Sequence, residues 1–381
     1  MEEGRSRVAA WRVARVMGIP IEVHASWTIV FALIGSSLSL GYFPWAYPGQ
    51  SGLVYGVLGV VTTLLFFASL LLHELSHSLV AREHNLTIAR ITLFVFGGVA
   101  QARGEPPGPR AEFRIAVAGP LASFLIAFLS RLVETASRIA GLGQGVEAVA
   151  AYLYGVNLMV ALVNLVPAFP LDGGRILRAF LWFRTGSLLR ATRWAARLGR
   201  GFAHLLMAGG AVLAIFGTWL NGLWFLFLGW FLLQAAQGSE TNVELSETLR
   251  GLTVADVMES QFLAVRRETA LDHFVEAYLS RSAQEVFPVM DETAPLGVVG
   301  LNEVRQVPRE EWPFTTVQSA RRPLEPLQLV APSLPALEAA RRLALTGSPL
   351  LVMDDGRLVG LVTARGLSRI IDVRREVLTA R

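Results

Sequence analysis

His73, Glu74 and His77 fall in the run Leu71-Leu72-His73-Glu74-Leu75-Ser76-His77. Two imidazoles four residues apart stand one above the other on a single helix face, a spacing that grips one Zn²⁺, and Glu74 beside them is placed to take a proton from a metal-bound water. The chemistry such a set performs is hydrolysis. Its flanks are apolar, where ionisable groups cost several kcal/mol unless partnered. Three of them within five residues therefore require a ligand or a proton relay.

The chain has no cysteine, so any metal must be held by His, Asp or Glu. Catalytic zinc usually takes three protein ligands and keeps one position for water, so a third ligand must come from elsewhere. His84 lies two helical turns beyond His77, too far to share the ion, and reads as a headgroup-level residue; His24 and His204 each open an apolar run and read as interfacial. Asp172 is the strongest candidate, the only Asp in the first 238 residues. It sits in the stretch from Asn164 through Pro167, Phe169, Pro170 and Leu171 to Gly173 and Gly174, whose prolines and glycines break a helix. A carboxylate at such a break is expensive, and a cation on a neighbouring helix offsets that cost. A helix-capping role ahead of Arg175 and Arg178 fits the same position.

The elements that must position these residues are membrane-like. Of 381 residues 53% are hydrophobic and 17% charged, with mean hydropathy +0.47, which excludes an ordinary soluble enzyme. A span needs roughly 20 apolar residues. Six runs qualify, at about 22–43, 53–84, 112–139, 146–183, 201–219 and 222–238, and the fourth must be broken near Pro167 and Pro170. The first run is a full span without a small-residue cleavage site, which argues against a secretory signal. All 34 basic residues are Arg, and no cluster of them sits in a nucleic-acid motif, so no nucleic-acid partner is expected.

Charge divides the chain. Residues 1–238 carry 18 Arg against 10 acidic residues, and 239–381 carry 16 Arg against 20. The expected organisation is a membrane domain at 1–238, a linker at 239–251 and a soluble part at 252–381. Arg5, Arg7, Arg12 and Arg15 precede the first span, Arg90, Arg103 and Arg110 lie between the second and third, and Arg184, Arg190, Arg193, Arg197 and Arg200 lie between the fourth and fifth. The positive-inside rule places these segments, and both termini, in the cytoplasm of a multi-pass inner-membrane protein. The stretch 184–200 has the spacing of an interfacial helix, and a solvated loop fits it equally well.

Together these residues resemble the site-2 proteases, intramembrane zinc metalloproteases, in the branch that carries a C-terminal CBS-domain pair. The resemblance rests on Gly18 through His24, His73-Glu74-Leu75-Ser76-His77, Phe96-Gly97-Gly98-Val99, Gly119-Pro120 and Asn164 through Gly174. It implies His73, His77 and Asp172 as ligands of one zinc per chain, with Glu74 as general base. It further implies a small membrane-associated sheet around Gly97 and Gly98, whose edge pairs with an unwound substrate. A tight turn is the plainer role of the two glycines. Asn164 would polarise the substrate carbonyl or hydrogen-bond between helices.

The fold class expected is thus a polytopic α-helical membrane protein of about six spans with a small sheet, followed by a cytoplasmic α+β tandem CBS pair at about 252–308 and 315–375. In the second half, Asp355-Gly356 between two apolar runs signals a hairpin. Such pairs often bind adenine nucleotides, but the family's G-x-x-T-x-x-D ending is altered. Gly300 and Glu303 stand at the Thr and Asp positions of the first unit, and Gly366 at the Asp position of the second, where Thr363 is kept. These departures argue against nucleotide binding and favour homodimerisation or substrate filtering. The function implied is cleavage of transmembrane or membrane-proximal segments of regulatory proteins within the lipid bilayer. The alternative is a transporter or channel with a regulatory CBS tail, in which the same four residues form an ion path.

Overall fold

The computed structural model describes residues 10–94 and 97–379; Arg5, Arg7 and Phe96 lie outside them. The chain divides into two compact units, Met1–Thr241 and Asn242–Arg381.

The first unit opens with a hairpin of β1 (Ala10–Val16) and β2 (Ile19–His24), turned at Met17 and Gly18, both with positive φ. His24 Nδ1 then accepts from the Ser26 backbone N–H at 3.0 Å, where α1 (Ser26–Ser37) begins. A π-helical turn carries α1 into α2 (Phe43–Ala46), and together they make one apolar rod, Ser26–Ala46. The long helix α3 (Gly52–Glu83) follows, capped by Ser51. After it come β3 (Thr87–Phe94) and β4 (Gly97–Arg103), then α4 (Pro109–Ala140) and α5 (Gln144–Asn164). The unit closes with the short α6 (Asp172–Thr185), α7 (Leu188–Phe216) and α8 (Trp219–Thr248).

Among the described residues, six rods are long and apolar enough to cross a membrane: Ser26–Ala46, α3, α4, α5, α7 and α8. Their surface is inverted relative to a water-soluble bundle. Leu33, Leu64, Leu125, Phe128 and Met159 face outward, while Thr62, Thr63, Ser69, Ser123 and Asn157 are buried. This is what helix packing against hydrocarbon produces, since lipid offers no partners to polar groups and small or hydroxylated residues let helices approach closely.

The broken fourth run is found as expected: α5 stops at Asn164 and α6 starts at Asp172, with 165–171 between them. The Arg-rich stretch differs from expectation. No separate interfacial helix precedes a span at 201–219; α7 runs unbroken from Leu188 to Phe216. Nothing in that sequence interrupts it, because it lacks proline and its small residues Ala191, Ala195, Ala196, Gly199 and Ala203 form one buried stripe across the expected boundary. Arg200 pairs with Glu240 on α8, which satisfies a charge midway along. The polar stretch Gln237 to Asn242 is likewise helical.

The sheet order is β1-β2-β3-β4. Its central pair is parallel, Ile21 opposite Ile91 and Val23 opposite Leu93, although β2 precedes the first span and β3 follows the second. Ile19, Ile21 and Ile91 pack with Leu75, the residue after Glu74, so the sheet seats on the end of α3 that carries the histidines.

In the second unit, α9 (Val254–Val257), β5 (Val265–Arg266), α10 (Leu271–Phe274), β6 (Val286–Asp291), β7 (Ala294–Gly300), α11 (Leu301–Val304) and α12 (Val317–Ala320) make the first half. The second half has β8 (Arg322–Pro323), β9 (Leu329–Val330), α13 (Ala336–Thr346), β10 (Leu350–Asp354), β11 (Arg357–Val362) and α14 (Ala364–Thr379). The halves exchange their leading segments. β8 completes the sheet β5-β6-β7-β8, while Val254 and Val257 of α9 pack in the core with Val330, Ala336 and Leu350. Contiguous sequence boundaries cannot express such an exchange. Asp355 and Gly356, both at positive φ, turn β10 into β11 as the dipeptide predicts.

Because the chain has no cysteine, single cysteines report sidedness cleanly. Trp11→Cys and Gln101→Cys on the sheet are expected to react with a membrane-impermeant maleimide from one face of sealed vesicles. Gln50→Cys and Leu142→Cys, in loops one helix length away, are expected to react from the other face; labelling of all four from one side would contradict the topology.

Candidate metal centre

α3 brings His73 and His77 onto one face one turn apart, and the first residue of α6, Asp172, meets them there. The three donor atoms form a nearly equilateral triangle: His73 Nε2 to His77 Nε2 3.2 Å, His73 Nε2 to Asp172 Oδ2 3.2 Å, and His77 Nε2 to Asp172 Oδ2 3.1 Å. All three residues are buried, 4%, 6% and 7% exposed respectively. Three ligands about 2.0–2.1 Å from one ion at tetrahedral angles stand roughly 3.3 Å apart, so the triangle has the size a zinc ion requires.

Hydrogen bonding fixes the ring nitrogens. His77 Nδ1 lies 2.6 Å from the backbone oxygen of Ile115, which only accepts, so Nδ1 holds the proton and Nε2 of the neutral ring presents a lone pair. That lone pair points at the Asp172 oxygen, and His73 Nε2 faces both, with His73 Nδ1 held 2.9 Å from Ser123 Oγ. The His77 lone pair and the Asp172 oxygen, acceptors 3.1 Å apart in an apolar interior, repel unless a proton or a metal cation lies beside both. The donor set therefore fits a divalent metal by size, chemistry and charge.

α4 supplies the wall behind the imidazoles. A side chain at Gly119 would collide with Nε2 of both histidines and with His77 Cε1, so this position must lack a Cβ for the rings to converge. On the other side, Gly173 and Gly174 let the first turn of α6 press against the backbone of residues 165–169. That close approach holds Asp172 at the helix entrance. Ser123, the carbonyl of Ile115 and the bare face of Gly119 were missed from the sequence as parts of the site. The signal available for the glycine was the dipeptide Gly119-Pro120, whose spacing gives no hint of its partner.

Glu74 follows His73 on the same turn, is half-buried, and its carboxylate faces the backbone N–H of Ala100 on β4. A Cβ on Gly98 would stand 2.5 Å from Glu74 Cγ, so the strand approaches the helix only because that residue is glycine. Gly97 opens β4 at φ +126°, a backbone region that side chains disfavour, and pairs with Phe94 across the hairpin. The two glycines thus do different work, one turning and one making room. Asn164 is the last residue of α5, half-buried, and its side chain makes none of the hydrogen bonds found among the described residues. The remaining candidates stay apart from the triad. His24 bonds Ser26, His84 caps the end of α3, and His204 lies 2.7 Å from the Arg200 carbonyl on an exposed face.

The sequence profile of peptidase family M50 matches residues 61–139 and 129–208, the stretch that holds the triad, and that of the CBS domain matches 321–373. A Mycobacterium tuberculosis protein named as a zinc metalloprotease, Rip3, is 35% identical over 368 residues, 95% of this chain and 93% of its own. A Synechocystis protein named as a zinc metalloprotease, sll0528, is 32% identical over 355 residues, 92% of each. Among solved structures, the site-2 protease from Methanocaldococcus jannaschii is 29% identical over 61% of this chain and 95% of that one, with a TM-score of 0.39.

Replacing Gly119 by Ala is expected to remove stoichiometric zinc from the purified protein by forcing the imidazoles apart. Ser123→Ala, which frees one imidazole to rotate, is expected to weaken zinc binding by about 10–100-fold. Both are read by competition with a chromogenic chelator.

Proposed function

Because the chain belongs to peptidase family M50 and is a multi-pass zinc metalloprotease of the site-2 type, we propose that His73, His77 and Asp172 hold one zinc per chain and that Glu74 is the general base for cleaving a membrane-spanning or membrane-proximal segment of a regulatory membrane protein. The convergence of three potential ligand atoms within 3.2 Å carries this reading. The ion-path alternative is set aside, since full-length relatives are named as proteases.

When bound, zinc polarises the scissile carbonyl and lowers the pKa of water toward about 7. The protein's own groups do the rest. Glu74, fixed one residue from a ligand, takes a proton as water attacks the carbonyl carbon and returns it to the amide nitrogen as the C–N bond breaks. One water is consumed and two chain ends are released. The Asn164 side-chain amide donates to the carbonyl oxygen as negative charge gathers there. Ser123 and the Ile115 carbonyl keep both rings oriented through the cycle.

A helical substrate hides each carbonyl in its own hydrogen bonds and must be unwound. β4 ends the sheet order, so its outer edge is open to strand addition among the described residues. Gly98 and Ala100 of that strand lie against Glu74, so an added strand would run past the base. Parallel pairing of β2 with β3 supports a common side for the N-terminal segment and the loop after the second span. With the Arg distribution, that supports cytoplasmic termini and water entering from the cytoplasm.

For the second unit we propose the tandem CBS pair at 252–381, acting as a homodimer contact or substrate filter. A cleft of about 1330 Å³ lies between its halves. Glu259 there accepts from the Thr363 hydroxyl at 2.5 Å, and the Gly366 N–H donates to the same Thr363 oxygen at 2.9 Å. Glu303 accepts from the Gly300 N–H at 2.9 Å. Chain carboxylates thus engage the donors at Gly300 and Thr363, the altered motif position and the retained one, which supports the reading that nucleotide is not the ligand.

Glu74→Gln is expected to keep one zinc per chain while lowering cleavage of a membrane-anchored reporter by about 10²–10⁴-fold. Cleavage at the wild-type rate would sink the proposed base. Gly98→Val, which displaces Glu74 without touching a ligand, is expected to give the same pattern of retained zinc and lost turnover.

A further inference from the structure

Glu112 lies in the first turn of α4 and is 0% exposed, an ionisable side chain wholly inside the unit. Its Oε1 accepts from the Arg178 guanidinium, at 2.9 Å from Nε and more closely from Nη2. The same oxygen lies 3.7 Å from Nε of Arg175. Arg175 in turn holds Nη1 3.9 Å from Oδ1 of Asp172, the carboxylate oxygen turned away from the imidazoles. Arg178 is further fixed over the Phe169 ring at 5.2 Å, with its Nη2 3.9 Å from Glu105 Oε2. Two arginines one turn apart on α6 therefore grip a single buried carboxylate on α4, and one of them also borders the third metal ligand.

We propose that Glu112 is a positioning residue for the metal centre: it anchors α6 through Arg178 and draws Arg175 away from Asp172, so that the Asp172 carboxylate is left for the metal. Asp172 and Arg175 are three residues apart on one helix, a spacing that pairs opposite charges by itself. In a low-dielectric interior a cation released beside that carboxylate would pair with it closely and compete with zinc. Glu112 provides the second anion that prevents this, and Arg178 is the cation that makes burying Glu112 tolerable.

The inference rests on zinc at His73, His77 and Asp172, and zinc affinity of the purified full-length chain, measured by chelator competition, separates the two. Wild type is expected to bind one zinc and Asp172→Asn to lose it; if Asp172→Asn binds as wild type does, the site assignment itself is wrong. With that control in place, Glu112→Gln is expected to bind zinc about 10–100-fold more weakly. Adding Arg175→Gln to Glu112→Gln removes the competing cation and is expected to bring affinity back to within about threefold of wild type, a rescue that a purely structural defect would not show. Wild-type affinity in Glu112→Gln overturns the proposal, as does a folded double variant no tighter than the single one, folding being judged by circular dichroism and gel filtration. Should Glu112→Gln not accumulate as folded protein, Arg175→Gln alone decides. Affinity equal to or tighter than wild type supports the proposal, and a loss of about tenfold, the mark of an Arg175 that holds Asp172 in place, overturns it.

Discussion

Two imidazole nitrogens and a carboxylate oxygen, all on buried residues, are held within 3.2 Å of one another. Because the outer nitrogen of His77 holds its proton against a backbone oxygen, its inner lone pair meets the Asp172 oxygen acceptor to acceptor. A divalent cation resolves it. The rest of the first unit follows from this constraint. α3 must present its histidines toward α4, α4 must be bare where the rings lie, and the chain between α5 and α6 must leave the helical path so that a carboxylate arrives from a third direction.

Much of this was legible in the residues themselves. His73 and His77 declare their shared face by spacing alone, with Glu74 beside them, and Asp172 stands out as an isolated acid among prolines and glycines, costly inside a membrane unless a cation partners it. What the sequence could not supply were partners that carry no chemical signature. A backbone carbonyl at Ile115 looks like every other carbonyl, and Ser123 is one hydroxyl among many on apolar helices. The charge of the Arg-rich start of α7 suggests an interfacial helix or a solvated loop ahead of a span. Small residues on the buried face outweighed that signal, since helix continuity is governed by packing and the lack of breakers rather than by polarity.

In the second unit, the alternation of apolar runs and the Asp355-Gly356 turn revealed the repeats, but pairing across them was hidden. β8 and α9 each serve the half to which they do not belong in sequence, because each half's sheet and core are completed by a short segment from the other. The altered motif positions at Gly300, Glu303 and Gly366 were visible, whereas Glu259, more than a hundred residues from Thr363, was not. Long-range hydrogen bonds of this kind leave no trace in local spacing.

The order of His73, His77 and Asp172 along the chain sets when the three can meet. Two of them emerge from the ribosome nearly a hundred residues before the third, and the platform strand β3 cannot join β2 until both intervening rods have entered the bilayer. A chain ending short of Thr87 therefore holds both histidines but neither Asp172 nor the two strands that finish the sheet. Completion of the triad thus waits on the segment between α5 and α6, whatever the earlier helices have already formed.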